Sequence, residues 1–415
     1  MRILIHCNEY YPEMLASCYR MQVMADAFIA AGDEVTVITS SASKAAGRAE
    51  KGARKERIIY SPAFRMKKKT TLTRMLNNLT FAISSIFSAI FAGKADVVIT
   101  GSPPALINIP GWLIARCKRA KLVYDVRDIW PDVGLEMESF SEKSFYCKVF
   151  RFIAQFMYKH ADIITTVSPG KVRKIQSYID SLTKRPRKTK RVPKLWFVGN
   201  GFDEGIVKSG FDPDIVKKYD LDKKFTCVYI GNIGLAQGLG ALLKIAIETK
   251  HKNIQFLCFG RGAEKDVLEQ RAADENLTNI EFCGPIDHSK VFSVISHAKI
   301  TFVPLKSGKL KDSVPTKIFE ALGIGCPVFL LAEGDSADIV DETHFGMHIS
   351  PEETDKLTET FDDMVDHYEE LEPYRDKAVT LMFEKYSRQK ISERFVRDIH
   401  DYYGQPLPNN AESGS

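Results

Sequence analysis

An α/β architecture of two doubly wound parallel-sheet domains is what this chain predicts, on three grounds. Its 415 residues exceed what one hydrophobic core ordinarily serves and suggest two domains of about 200 residues each. Short apolar runs alternate with helix-length stretches along most of the chain, the rhythm of βα units. Three strand–turn–helix units, with glycine or other anion-friendly residues in their turns, also crowd into residues 228–331.

In the first half the expected strands are 2–6, 34–39, 57–60, 96–100, 121–124, 162–167 and 195–198. The helices between them are 18–31, 72–91, 105–117, 143–160 and 170–179. The opening Met1-Arg-Ile-Leu-Ile-His6 is too short an apolar run for a secretory signal and reads as the first strand. The rhythm resumes from Phe225 to about His348 and gives way to helical segments ending in 388–403. In doubly wound sheets, ligand sites lie at the carboxyl ends of the strands. The expected domains are 1–199 and 200–385, followed by a C-terminal helix over 386–403. The tail 404–415, rich in Pro, Asn, Gly and Ser, is expected to be disordered.

The most informative stretch is Asp312-Ser-Val-Pro-Thr-Lys-Ile-Phe-Glu-Ala-Leu-Gly-Ile-Gly-Cys-Pro-Val328. Asp312 and Ser313 are good N-cap types, Pro315 suits a first helical turn, and Gly323 or Gly325 can end the helix before Pro327. A helix that starts at the end of a strand offers free N–H groups to an anion. The N–H groups from Ser313 through Val314, Pro315 (which has none) and Thr316 to Lys317, with the Lys317 ammonium, could hold a diphosphate. Glu320, three residues on and on the same face, could accept ribose hydroxyls. The same residues also fit a capped structural helix with a surface Glu–Lys pair.

Two further units favour the ligand reading. Val228-Tyr-Ile-Gly-Asn-Ile-Gly-Leu-Ala-Gln-Gly-Leu239 is strand, turn and then a helix expected from about Gln237. Gly231 and Gly234 would let backbone approach a phosphate. Phe256-Leu-Cys-Phe-Gly-Arg-Gly-Ala-Glu-Lys265 repeats the pattern with Gly260, Arg261, Gly262 and Lys265.

On "YIGNIGLAQGL", "CFGRGAEK" and "FVPLKSGKLKDSVPTKIFEALGIGCPV" the chain resembles family 4 retaining glycosyltransferases of the GT-B fold, two Rossmann-like domains facing a cleft. The similarity is greatest to the bacterial branch that builds O-antigen, capsule and related surface polysaccharides, including N-acetyl-fucosamine transferases. The resemblance implies transfer of a hexosyl or N-acetylhexosaminyl group from a UDP-linked donor to a lipid-linked saccharide, with retention. It also implies a final helix that crosses back to the N-terminal domain. Lys317, the 313–317 N–H groups, the Gly231–Gly234 turn with Asn232 and Gln237, and Lys265 would hold the diphosphate, and Glu320 the ribose. No metal is expected, because helix ends and a lysine can replace a cation. Where the broad family has a Glu-x7-Glu pair, this chain has Asp312 and Glu320. Where it has an Arg and a Lys after the first strand of the second domain, this chain has Asn232 and Gln237, leaving Lys317 and Arg261 as candidates for that charge.

On the acceptor side, the loop after the first strand carries Glu9, Tyr11 and, in place of the family's Gly-Gly pair, Ala16-Ser17; Arg20 follows in the next helix. Arg20 would face the cleft or be solvated. Tyr124-Asp-Val-Arg-Asp-Ile-Trp-Pro-Asp132, with Arg127 and Trp130, suits hydroxyl binding and sugar stacking. It resembles the family's D-x-W-P-D segment. Asp128 is the carboxylate expected to orient or deprotonate the acceptor hydroxyl; capping of the following loop is the alternative.

Lys67-Lys-Lys-Thr-Thr-Leu-Thr-Arg74 precedes an apolar run over 75–93, broken by Asn77, Asn78, Thr80 and serines. This fits an amphipathic helix lying on an anionic membrane, or one packed on the sheet behind a cationic loop. A second basic cluster comprises Lys184, Arg185, Arg187, Lys188, Lys190, Arg191 and Lys194. Both clusters suit a polyprenyl-diphosphate acceptor and a peripheral place on the inner face of the plasma membrane. A net charge of +5 implies no nucleic-acid partner, and eight scattered cysteines without C-x-x-C spacing favour a reducing cytoplasm. Rival readings are a nucleotide-sugar 2-epimerase and a non-catalytic GT-B scaffold. The absence of Gly-x-Gly-x-x-Gly after the first strand counts against a Rossmann dehydrogenase.

Overall fold

The structure, a computed structural model, describes residues 1–13, 16–45, 54–66, 70–137, 140–183, 192–208 and 210–404. The basic runs at 67–69 and 184–191, the tail from 405 and the side chain of Ser17 lie outside them. The chain divides into two compact units, one running to Asn200 and taking up the chain again from Ile391, the other spanning Gly201–Lys390.

The first unit is a seven-stranded parallel sheet in the order β3-β2-β1-β4-β5-β6-β7. Its strands are β1 Arg2–His6, β2 Glu34–Ser40, β3 Arg57–Ser61, β4 Val97–Ser102, β5 Lys121–Val126, β6 Ile163–Thr166 and β7 Lys194–Phe197. Alternate residues of each strand enter opposite layers. Ile3 and Ile5 pack with Met24, Phe28 and Phe395 on one face. Leu4 packs with Phe81, Ile114 and Met157 on the other. The expected helices appear with shifted ends. That over 72–91 runs Thr71–Ser88 and tightens into a 3-10 turn, Ala89–Ala92. A capping box between Thr70 and Thr73 starts it. That over 105–117 becomes a 3-10 turn, Ala105–Ile107, followed by Asn108–Lys118.

The second unit is a six-stranded parallel sheet in the order β10-β9-β8-β11-β12-β13. Its strands are β8 Phe225–Ile230, β9 Ile254–Phe259, β10 Ile280–Gly284, β11 Ile300–Pro304, β12 Val328–Leu331 and β13 Gly346–Ile349. In both sheets the order turns back beside the first strand, the switch point where open α/β sheets place ligand sites. The last helix, Arg388–Tyr403, supplies Phe395 against Phe28 and Trp196, and His400 whose Nε2 lies 2.8 Å from Asp33 Oδ2. All eight cysteines are free, and six of them are buried.

Candidate active site

The helix after β11 runs Thr316–Ile324, so it begins later than the cap types at 312–313 suggest. Pro315, extended at φ −63 and ψ 134, stands at the N-cap. The Ser313 N–H is spent on the Leu310 carbonyl, and the Ser313 carbonyl accepts from Ser336 Oγ at 2.6 Å. Of the expected backbone donors, this leaves Val314 ahead of the helix and Thr316 and Lys317 in its first turn, where an α-helix supplies no acceptor of its own. Ile318, Phe319, Ala321 and Leu322 are buried. Gly323 sits where a Cβ would stand 2.6 Å from the Phe202 ring. Gly325, left-handed at φ 84, ends the helix, and the Cys326 N–H closes onto the Ala321 carbonyl.

Lys317 reaches out of that first turn to β8. Its Nζ lies 4.0 Å from the centre of the Tyr229 ring, 2.8 Å from the Tyr229 hydroxyl and 3.1 Å from Gln237 Oε1. Its Cε occupies the space that a side chain at Gly231 would need, 2.4 Å from a Cβ placed there. Burial pushes the ammonium down to about 7, against the pull of Glu320, which raises it. An ammonium poised near neutrality beside free helix N–H groups is prepared for a counter-anion.

The glycine turns have a different task from the one expected of them. A Cβ at Gly260 would stand 1.8 Å from the Gly231 carbonyl oxygen, and one at Gly262 1.9 Å from that of Ile233. The loops after β8 and β9 are therefore pressed backbone to backbone, with Gly231 N–H on the Phe259 carbonyl and Ile233 N–H on that of Arg261. Gly260 and Gly262 serve this close packing, which by itself requires glycine at both positions. Gly234 is hemmed in by the Asn232 side chain. The helix expected from Gln237 begins at Gly240 instead, after Gly238 turns the backbone at φ 62. Arg261 is exposed, and Lys265 pairs with Glu269 one helical turn on rather than standing free for a diphosphate.

Glu320 lies one turn beyond Lys317. Burial pushes its carboxyl above the usual range; Arg388, His288 and Lys317 pull it down, and Asp203 adds to the rise. Arg388 is itself held by Asp203 Oδ2 at 3.3 Å and the Gly201 carbonyl at 3.3 Å. A half-buried carboxyl among two cationic side chains and a histidine is fitted to hydroxyl groups. Tyr229, His288 and Arg388 were not among the expected site residues. Tyr229 leaves a trace in the sequence, as a strand tyrosine in an apolar run whose hydroxyl needs a partner; the other two leave none.

In the first unit the structure sorts the three aspartates in and just after β5. Asp125 is fully buried and held by Arg20 through Nε at 3.1 Å and Nη2 at 2.8 Å, and by Thr165 at 2.7 Å. Arg20, 4 % exposed, also donates to the carbonyls of Val198 and Gly199, both at 2.9 Å. It faces inward, which corrects its assignment to the acceptor. Asp132 takes Lys174 at 3.2 Å and the Tyr178 hydroxyl. Asp128 is half-buried, with no side-chain partner among the described residues. Trp130 is half-buried, its ring packed on Phe140 at 6.0 Å and Phe150 at 5.2 Å. Arg127 donates to the Pro103 carbonyl and, with Glu9, lines a small hollow at the ends of β1 and β4. The Tyr11 carbonyl accepts from the Tyr60 hydroxyl at 3.0 Å.

Comparison with known proteins matches both units. Residues 19–180 match the "Glycosyl transferase 4-like domain" family and residues 211–379 the "Glycosyl transferases group 1" family. The chain is 24 % identical over 351 residues, 80 % of its length and 84 % of the relative's, to "Putative colanic acid biosynthesis glycosyl transferase WcaI" of Escherichia coli (strain K12). It is 22 % identical over 277 residues, 66 % of its length and 67 % of the relative's, to "Probable glycosyltransferase WbjE" of Pseudomonas aeruginosa. Its fold matches that of Anabaena HepE, solved in complex with UDP, with TM-score 0.70 and 14 % identity, covering 97 % of this chain and all of that one. Two parallel-sheet Rossmann-like units in this order are the GT-B fold. The chain belongs to the glycosyltransferases, a 4-like domain followed by a group 1 domain.

Proposed function

We propose that this glycosyltransferase moves a hexosyl or N-acetylhexosaminyl group, with retention, from a UDP-sugar to a hydroxyl of a polyprenyl-diphosphate-linked saccharide in bacterial surface-polysaccharide synthesis, in the branch that includes N-acetyl-fucosamine transferases. The observation that carries the reading is the Lys317 ammonium, set against the Gly231 turn at the start of a helix, with Glu320 one turn on. The bond from the anomeric carbon to the diphosphate breaks while one to the acceptor oxygen forms on the same face, and the departing diphosphate takes the acceptor proton. Lys317 and the first-turn N–H groups stabilise the charge that develops on the diphosphate, and Glu320 holds the ribose. Asp128, the uncommitted carboxylate of its loop, orients the acceptor hydroxyl. The polysaccharide role named for WcaI and the UDP held by HepE support the acceptor and donor classes. Lysine and helix N–H groups take the place of a metal in this reading.

The test is a screen of UDP-, GDP- and ADP-sugars for nucleotide release, with and without membrane extract carrying lipid-linked saccharides, and with Glu320→Ala as control. Release with one nucleotide class, dependent on the extract and lost in the variant, is expected. Turnover without acceptor would replace the proposal with an epimerase or hydrolase, and binding without any turnover with a scaffold.

The acceptor's lipid places the protein on the cytoplasmic face of the plasma membrane, and the helix Thr71–Ser88 supports that placement. With its 3-10 extension it is long and apolar enough to cross a membrane by length and composition, and a third of it is buried. Asn77, Phe81 and Ser85 face the interior, while Leu79, Ile83, Phe87, Ile90 and Phe91 are exposed, Ile90 by 75 %. Arg74 and Lys94 flank the exposed face. An Ile83→Glu/Phe87→Glu variant is expected to lose co-sedimentation with phosphatidylglycerol vesicles on the order of tenfold or more while retaining UDP binding. Undiminished sedimentation would remove the membrane face.

A further inference from the structure

We infer that Tyr229 is a positioning residue of the donor site, acting on the diphosphate through Lys317; the inference rests on the donor reading above. The Tyr229 side chain is fully buried, so its hydroxyl has no water to turn to. That hydroxyl has one proton, and it goes to the Asn232 carbonyl at 2.5 Å. Its lone pairs are then left to accept from the Lys317 ammonium at 2.8 Å, while the ring face lies beneath the same nitrogen at 4.0 Å. Gln237 Oε1 takes a second ammonium proton at 3.1 Å. An ammonium carries three protons, so one remains for an incoming oxygen.

Tyr229 thus ties three chain segments to one point: its own strand, the glycine turn through Asn232, and the helix through Lys317. Lysine on its own is a flexible point charge, and the immobilisation that a diphosphate would otherwise impose on it is met in advance by this cradle. Gly231 completes the arrangement by leaving the lysine stem its path, at 2.4 Å from where a Cβ would be. Loss of the hydroxyl frees the amine without removing it. The consequence is a donor site that keeps its charge and loses its aim.

The experiment is a double-mutant cycle on the full chain, with UDP affinity measured by calorimetry for wild type, Tyr229→Phe, Lys317→Met and the double variant, and melting temperatures as a folding control. Tyr229→Phe is expected to weaken UDP about tenfold, the worth of one hydrogen bond to a charged group. In the Lys317→Met background the same change is expected to cost nothing further. The alkaline limb of the donor kcat/KM profile should also move in Tyr229→Phe, a change that mere loosening of the strand would not produce. Gln237→Leu, which touches no core, gives an independent reading of the cradle, with a smaller loss that likewise vanishes without Lys317. A Tyr229→Phe loss that persists undiminished beside Lys317→Met, or no loss at all, overturns the inference and leaves the donor reading standing. UDP binding that is absent in wild type or indifferent to Lys317→Met overturns both.

Discussion

Lys317→Met is expected to lower kcat/KM for the sugar donor about 10²- to 10³-fold, the scale on which removal of a charge-stabilising donor acts. The substitution keeps the length of the stem and deletes the ammonium that sits at 2.8 Å from the Tyr229 hydroxyl. The helix should survive, because its buried face is built from Ile318, Phe319, Ala321 and Leu322. The pH dependence gives the sharper signature. Burial holds the ammonium at about 7, and a diphosphate stabilises the charged form and raises that value in the complex. Below pH 7 the amine is protonated with or without donor, so affinity is flat. Above it, binding must take up a proton, and affinity falls about tenfold per pH unit until the value of the complex is reached. Titration with UDP-glucose, whose diphosphate keeps its charge across this range, checks the slope. A flat wild-type profile from pH 6 to 9, or a slope retained in Lys317→Met, would take Lys317 off the diphosphate.

The parts of this protein that were legible in its sequence are those set by local chemistry. Both sheets follow from apolar runs between turn residues, and the Gly325 terminus from the need for a left-handed residue. Lys317 and Glu320 stand near each other because they share one short helix. What was not legible depends on partners far off in the chain. Gly260 and Gly262 carry the pattern of a phosphate loop, yet what demands them is the carbonyl of another loop's Gly231 and Ile233. Trp130 has the composition of a sugar platform, but the contacts its ring makes with Phe140 and Phe150 are not written in its own segment. The neighbours of Glu320 come from residues 203, 288 and 388, which no spacing rule connects. Asp312 and Ser313 are cap types, but the chain uses them in the turn before the helix, where Leu310 and Ser336 hold Ser313.

Arg20→Met shows most clearly how tertiary pairing decides a residue's worth, and is expected to destabilise the first unit by about 3–5 kcal/mol. Arg20 and Asp125 have side-chain exposures of 5 % and 0 %, so the variant leaves a carboxylate in the interior with the Thr165 hydrogen bond and the more distant charge of Arg127 to answer it. It also strips the donors from the carbonyls of Val198 and Gly199. The pH dependence has a definite sign. Burial alone would raise the Asp125 carboxyl, but Arg20 outweighs it, with help from Arg127 and Thr165, and holds the group below its ordinary value. In wild type this pair therefore stabilises above the unfolded carboxylate value near 4 and its contribution is lost as pH falls through the lower folded value. In Arg20→Met burial prevails, the carboxyl rises above the ordinary range, and protonation in mild acid relieves the buried charge. The stability gap between the two proteins should therefore narrow as pH falls from 7 to 5, read as melting temperature or denaturation midpoint. Asp125→Asn placed on Arg20→Met should recover part of the loss at pH 7, since an amide can be buried at far less cost than a lone charge. A gap that is constant with pH, or a double variant no more stable than Arg20→Met, would mean that Arg20 acts through its stem and carbonyl contacts rather than through Asp125.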